Sequence, residues 1–374
     1  MTRTLLVLLL TLIHIPLAAA PRTRPVPHPK PPVPPAAIVA AAHQAAEAAM
    51  DAGVPGVQVA VSQHGRIIYS GAFGVTDKNS GTPVTSRTVM QIASLSKQFT
   101  AAAILRLAER GELSLDDRID TYVPEFNSQG STVTLRQILS HTSGLRRDWI
   151  PSPPSGVSLW APVTRAQVIQ YLNAEPFDTA PGTNWSYSNA GFMLLGYAIE
   201  SITGRPYAEF IQNELALPLG LPDTGLCGSS HLPLPRGYGL VAGGWHLLLP
   251  LHPTVVMSSG GLCSTASDLA RWSHLIAKGY AMLPASYVTM TTPARLADDT
   301  PVPNGYAFGV HVQAFKGHPL VWHNGAIDGF QSWLLYISDQ DLAVAVITNA
   351  FPAPQAGSPR LIADAVANAA LASQ

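Results

Sequence analysis

Residues 94–110 read SLSKQFTAAAILRLAER, and the rest of the chain is read outward from this stretch. From Lys97 onward it is apolar almost all round, through Phe99, Ala102, Ile104, Leu105 and Leu107, and it stops at Gly111, a residue that ends helices by turning left-handed. The pattern predicts a central, buried helix over Lys97–Arg110. Ser94 and Lys97 stand three apart at its start and share a face, where an amine reaches a hydroxyl and the positive helix end favours developing negative charge. A serine hydroxyl is a weak nucleophile until a neighbouring base takes its proton, and a lysine serves once burial or nearby cations lower its pKa. Ser94 is therefore the candidate nucleophile and Lys97 its activating base.

On the N-terminal side, the alanine-rich run Ala36–Met50 predicts a helix ending near Gly53 and Pro55. Val57–Ser62 and Arg66–Ser70 then read as strands of a hairpin around His64-Gly65. On the C-terminal side, helices are expected over Thr134–Ser140, Thr164–Asn173, Gly191–Ile202 and Ala266–Lys278, among proline-rich loops. Strand signals return at Tyr306–Gln313, Ser332–Ser338 and Leu342–Asn349, before a last helix over about Ser358–Ala372. Strands at both ends with helices between them predict a mixed α/β fold. One part is made from about 36–93 and 300–374, a mostly helical part spans about 94–299, and a cleft between the two is the expected place for a site.

The 374 residues include 47% apolar and only 12% charged side chains, against roughly a quarter charged in an ordinary soluble protein. A net charge of -1 leaves no broad basic field, which excludes nucleic acid as a partner. Residues 1–20 read as a signal peptide: Arg3, an apolar run Leu5–Leu17, and Ala18, Ala19 and Ala20 at the cut. Export to the periplasm or beyond is expected, with a membrane anchor if Pro21 blocks cleavage. Residues 21–35 hold eight prolines with Arg22, Arg24 and Lys30, an extended linker able to lie along an anionic cell envelope. Cys227 and Cys263 are read as two small buried thiols, with a disulfide the alternative that an oxidising compartment permits. His246 and His252 lack the spacing of zinc ligands, so no metal and no cofactor is expected. There is no Gly-x-Ser-x-Gly elbow either.

Two further motifs carry chemistry. Tyr187-Ser188-Asn189 follows a loop at Pro181–Ser186, and a tyrosine can pass protons while an asparagine both donates and accepts. His323-Asn324-Gly325 ends an apolar strand, where the glycine lets a substrate lie along the strand edge. Taken in order with Ser94-Leu95-Ser96-Lys97, and with the stretches 111–117, 139–145 and 260–270, the chain resembles the serine β-lactamase and penicillin-binding-protein superfamily in its class C β-lactamase-like branch, over about Ala36–Ala372.

That resemblance implies a β-lactamase/transpeptidase-like fold whose antiparallel sheet is built from both chain ends. It makes Ser94 the acylated residue, Lys97 its base and Tyr187 the proton-transfer partner. Asn189 would orient the substrate amide or Lys97, His323 and Gly325 would line the substrate side, and the backbone N–H groups of Ser94 and Ala326 would hold the oxyanion. His141, in Leu-Ser-His-Thr-Ser-Gly, is read as a structural hydrogen-bonding residue rather than a second base. The third motif departs from the Lys-Thr-Gly of β-lactamases: histidine, with a pKa near 6.5, is largely neutral at pH 7. Relatives with histidine here resemble esterases and D-aminopeptidases. The expected substrate is thus a small ester, amide or D-amino-acid peptide, with a class C-type β-lactamase or DD-carboxypeptidase, and a non-catalytic peptide-binding envelope protein, as alternatives. Loops 148–163 and 223–246 would select the acyl group.

Overall fold

In a computed structural model, residues 34–149, 158–229, 232 and 235–373 are described. The expected signal peptide and nearly all of the proline-rich linker lie outside them. The chain runs through α1 (Ala36–Asp51), β1 (Gly56–Gln63), β2 (Arg66–Asp77), β3 (Thr82–Pro83), β4 (Met90–Gln91), α2 (Ser96–Glu109), α3 (Leu135–Leu139), α4 (Arg165–Ala174), α5 (Asn189–Thr203) and α6 (Tyr207–Phe210). It continues through β5 (Gly225–Leu226), β6 (Gly237–Val241), β7 (Gly244–Leu248), α7 (Pro253–Gly260), β8 (Leu262–Ser264), α8 (Ala266–Ala277) and α9 (Pro284–Met290). The last elements are β9 (His311–Phe315), β10 (His318–Ile327), β11 (Phe330–Ile337), β12 (Leu342–Thr348) and α10 (Pro359–Ala372).

Alternation along the strands sorts the core into two layers. Val57, Val59 and Val61 of β1 and Leu342, Val344 and Val346 of β12 pack with Ile38, Ala42 and Ala46 of α1 and Ile362 and Val366 of α10. Their neighbours Ala60, Ala343, Ala345 and Ile347 face the other way, onto Leu269, Ala270 and Trp272 of α8. The antiparallel sheet has seven strands in the order β3-β2-β1-β12-β11-β10-β9, so the first and last strands of the chain meet at β1 and β12. Both chain ends therefore build one sheet, as the resemblance implied.

Three expectations are corrected. The stretch 94–299 is not confined to the helical part, because α8 packs directly on β1 and β12 and closes the second face of the sheet. It also contains β5 and β8, which form a small sheet with β4, and the hairpin β6-β7. Tyr306–Gln313 is not a strand throughout: Asn304, Gly305 and Gly309 take positive φ, and pairing with β10 starts only at His311. Cys227 and Cys263 are joined as a disulfide rather than left as thiols, brought together because β5 pairs with β8. Among the described residues no helix is long and apolar enough to cross a membrane.

Candidate active site

The nucleophile candidate sits on a turn that is fastened from three sides. Ser94 occupies a 3₁₀ turn, Ala93–Leu95, between β4 and α2, while Lys97 is the second residue of α2. The Ile92 N–H donates to the Leu262 carbonyl at 3.0 Å, and the Ile92 carbonyl accepts from Ser332 Oγ of β11 at 2.7 Å. Ser96 Oγ donates to the Ala93 carbonyl at 2.7 Å and accepts from the Leu262 N–H at 3.0 Å, so this motif serine is a structural brace. Ala93 is held at φ 47, a left-handed conformation that costs a residue with a Cβ about 1 kcal/mol and recurs at functional sites. Gly325 of β10 explains how close the turn lies to the sheet: a Cβ there would stand 2.2 Å from the Ile92 carbonyl oxygen. The close approach this glycine allows is that of the nucleophile turn.

Lys97 is fully buried, and its Nζ meets three acceptors: Ser94 Oγ at 3.2 Å, Asn189 Oδ1 at 2.7 Å and the Ser259 carbonyl at 2.6 Å. The Ser259 carbonyl belongs to the last turn of α7, where helix carbonyls have no partner within the helix, so the amine supplies one. Two of the three acceptors are carbonyl oxygens, which only accept. These two take two of the N–H groups, so the third position of the nitrogen is the one that meets Ser94 Oγ: an ammonium donates there, and a neutral amine presents its lone pair. Burial holds the Lys97 pKa well below the ordinary amine value; Asp148 pulls it up and Arg147 pushes it down. The rings of Tyr187 and Phe192, 4.7 and 5.4 Å from Nζ to their centroids, form the apolar wall.

Asn189 is oriented by its two partners, since its carbonyl oxygen accepts from Lys97 and its Nδ2 donates to Asp148 Oδ1 at 2.7 Å. Of its two expected tasks, the structure places Asn189 on Lys97. Asp148, half-exposed and paired with Arg147 at 3.5 Å, was missed by sequence reasoning as a site residue, and only its place just after the 139–145 stretch could have signalled it. Tyr187 shares a hydrogen bond with Ser94, and burial raises its pKa well above the ordinary phenol value despite that bond. Burial therefore favours the protonated phenol and, beside it, the unprotonated amine.

His323 is buried, not lining the substrate side. Its Nδ1 donates to the Asn324 carbonyl at 2.6 Å, which leaves Nε2 to accept from the Tyr306 hydroxyl at 3.3 Å. Burial first, then neighbouring His311 and Lys97, holds its pKa well below 6.5, so it is uncharged. Tyr306, another missed residue, packs 4.7 Å from the His141 ring and 6.3 Å from the Tyr187 ring. A cleft of about 230 Å³ opens over Ser94, walled by Trp149, Val255, Ile327 and Phe351 with Asp148, Asn189 and Ala326. Ala326 borders the same space as Ser94. Among the described residues no histidine, cysteine and carboxylate group is arranged to hold a metal ion.

A serine backed by a buried lysine of lowered pKa and a protonated tyrosine, under a small cleft beside an antiparallel sheet, is the apparatus of acyl transfer through serine. The chain belongs to the Beta-lactamase family, whose model matches residues 42–369. It is 29% identical to the D-aminopeptidase of Brucella anthropi over 79% of this chain and 56% of that one, so it spans little more than half of that relative. It is 27% identical to penicillin-binding protein 4* of Bacillus subtilis (strain 168), covering 78% of this chain and 67% of that one. The crystal structure of a D-stereospecific amidohydrolase from Streptomyces sp. superposes with a TM-score of 0.73 at 27% identity, over 90% of this chain and 99% of that one.

Proposed function

We propose that this protein is a serine hydrolase that cleaves small amides of D-amino acids, and related small esters, through an acyl-enzyme on Ser94. The observation that carries the chemistry is the pair of carbonyl acceptors at Lys97 Nζ, which take two of its N–H groups and leave its third position, the lone pair of the neutral amine, directed at Ser94 Oγ. Ser94 Oγ bonds to the substrate carbonyl carbon as its proton passes to Lys97, and the carbonyl electron pair moves to oxygen between the N–H groups of Ser94 and Ala326. Collapse breaks the bond to the leaving nitrogen or oxygen, which takes the Tyr187 proton, and Tyr187 regains one from Lys97. Water then attacks the acyl carbon by the same path, releasing the acid and Ser94.

The uncharged His323, with both nitrogens engaged, supports substrates without a recognised carboxylate and so favours amides and esters over penicillins and cephalosporins. The D-aminopeptidase and the D-stereospecific amidohydrolase among its relatives support the D-amino-acid amide. The test is a panel of D- and L-amino-acid amides, short-chain esters and a chromogenic cephalosporin, with fluorophosphonate labelling of wild type and Ser94→Ala. Turnover of the D-amides with label confined to wild type is expected. Equal labelling of both, or preference for the cephalosporin, would overturn the reading.

We also propose that the protein is exported. The apolar run Leu5–Leu17 ahead of Ala18–Ala20 and the Cys227–Cys263 disulfide support it. Fractionation of cells expressing the full chain checks this, and recovery in the cytoplasm with an intact N-terminus would refute it.

A further inference from the structure

His141 stands just past the end of α3 at φ 59, fully buried, with its ring 4.3 Å from the Tyr187 ring, centroid to centroid. The backbone N–H groups on the two sides of Tyr187 both end on this one residue. Ser186 N–H donates to the His141 carbonyl at 2.9 Å, and Ser188 N–H donates to His141 Nδ1 at 3.1 Å. A left-handed residue is what lets a carbonyl and a side chain of the same position reach one neighbouring segment, and histidine is among the few residues with a Cβ that adopt it readily. Because Nδ1 accepts, it carries no proton, so the ring is the neutral Nε2–H tautomer. Ser188 extends the arrangement: its Oγ accepts from Gly191 N–H at 2.9 Å and caps α5, and donates to the Arg146 carbonyl at 2.7 Å.

We propose that His141 is a positioning residue for Tyr187, gripping the backbone before and after the tyrosine and packing against its ring so that the phenol hydroxyl keeps its place beside Ser94. The inference rests on the reading of Tyr187 as the proton carrier of acyl transfer. A buried hydrogen bond to each flanking residue fixes the tyrosine where one bond would leave it a hinge, and a reacting group displaced by about 1 Å loses about 100-fold in rate.

Asparagine separates this role from mere folding, because its Oδ1 occupies the place of His Nδ1 and it too tolerates a left-handed backbone. With a p-nitrophenyl ester as probe, and active sites counted by fluorophosphonate labelling, His141→Ala is expected to lose about 100-fold in kcat with little change in KM. His141→Asn is expected to recover most of that loss. If both variants keep wild-type kcat per labelled site and lose only thermal stability, the residue is structural and the proposal fails. It fails equally if His141→Asn is as slow as His141→Ala, since the Nδ1 acceptor is then not the grip. Amide hydrogen exchange at Ser186 and Ser188 reads the clamp without any catalysis. Protection is expected in wild type and His141→Asn and not in His141→Ala, and unchanged protection in His141→Ala would overturn the clamp. A wild type that no acyl probe labels would instead defeat the reading of Ser94 and leave the exchange result to decide the clamp.

Discussion

Asn189→Asp puts a charge where the neutral acceptor of Lys97 now sits. The amide oxygen is 2.7 Å from Nζ, and the substitution exchanges it for a carboxylate oxygen at almost the same place. Two unit charges attract by about 4 kcal/mol at 4 Å in a medium of effective dielectric near 20, and by somewhat more at contact. Against this stand the burial of the new carboxylate and the loss of the bond that Nδ2 donates to Asp148, which becomes a like-charge contact. A net gain of about 3 kcal/mol for the protonated amine remains, or about two pKa units. An anion favours the ammonium form, so the Lys97 pKa rises and less neutral base is present at a given pH. The limb of kcat/KM that climbs with pH should move up by about two units, with a loss of up to about 100-fold on the acid side of the limb that closes as the pH is raised. Stopped-flow acylation by a chromogenic ester from pH 5 to 10 measures this. If the limb of Asn189→Asp coincides with that of wild type, Lys97 is not the base whose ionisation sets the rate.

Gly325→Ala would push a Cβ to 2.2 Å from the Ile92 carbonyl and 2.3 Å from Ser332 Oγ. The turn bearing Ser94 must then retreat by about 1 Å, and a loss of about 100-fold in acylation with a lowered Tm is expected; a wild-type acylation rate would refute the packing role. Asp341 is pushed up by burial, but hydrogen bonds from His274 and Tyr336 and the charges of His274 and Lys278 outweigh this and hold its pKa at about 2. A folded pKa below the unfolded value gives stability that is present above about pH 4 and lost as pH falls towards 2. Urea unfolding should therefore show Asp341→Asn weaker than wild type at pH 7 by about 1 kcal/mol after solvent screening, and nearly equal to it at pH 2; an equal deficit at both would refute the linkage. The Cys227–Cys263 bridge closes a 36-residue separation, worth about 3 to 4 kcal/mol. Because Cys263 is in register with Gln91 of β4, reduction should lower both Tm and the lifetime of activity, and a Tm indifferent to reductant would refute that.

Much of the fold was legible because its signals are local. Thr134 and Thr164 each form a reciprocal capping box with the glutamine three residues on, which fixed the starts of α3 and α4, and Gly204 at φ 65 ended α5. The hairpin of β1 and β2 followed from alternation around His64-Gly65. What escaped depends on residues far apart in the chain. Tyr306–Val310 has the apolar, aromatic composition of a strand, yet Gly309 is held against the backbone of Lys97, where a Cβ would lie 2.8 Å from its carbonyl oxygen. The disulfide needed the pairing of Gly225 with Cys263, and Asp148 needed Asn189. At β10 the motif was visible, but not which way it faced. Trp322 lies with the α1 and α10 layer while His323 turns inward to Tyr306.

A lysine can be kept neutral by a neighbouring cation or by the removal of water. Here the third motif contributes no cation, since His323 is itself held uncharged, and Asp148 opposes the shift that Arg147 assists. Burial is therefore the dominant cause, supplied by the Tyr187 and Phe192 rings and the end of α7. The same burial acts on Tyr187 in the opposite sense, because it penalises the phenolate as it penalises the ammonium. One dry pocket thus leaves the amine ready to take a proton from Ser94 and the phenol ready to give one to a leaving group, the separation of pKa values that assigns base and acid. A substrate carboxylate brought next to Lys97 would favour the ammonium and remove the base, with no cation at position 323 to offset it. On the proposed chemistry, the histidine of the third motif and the burial of Lys97 select together for acyl groups without a carboxylate.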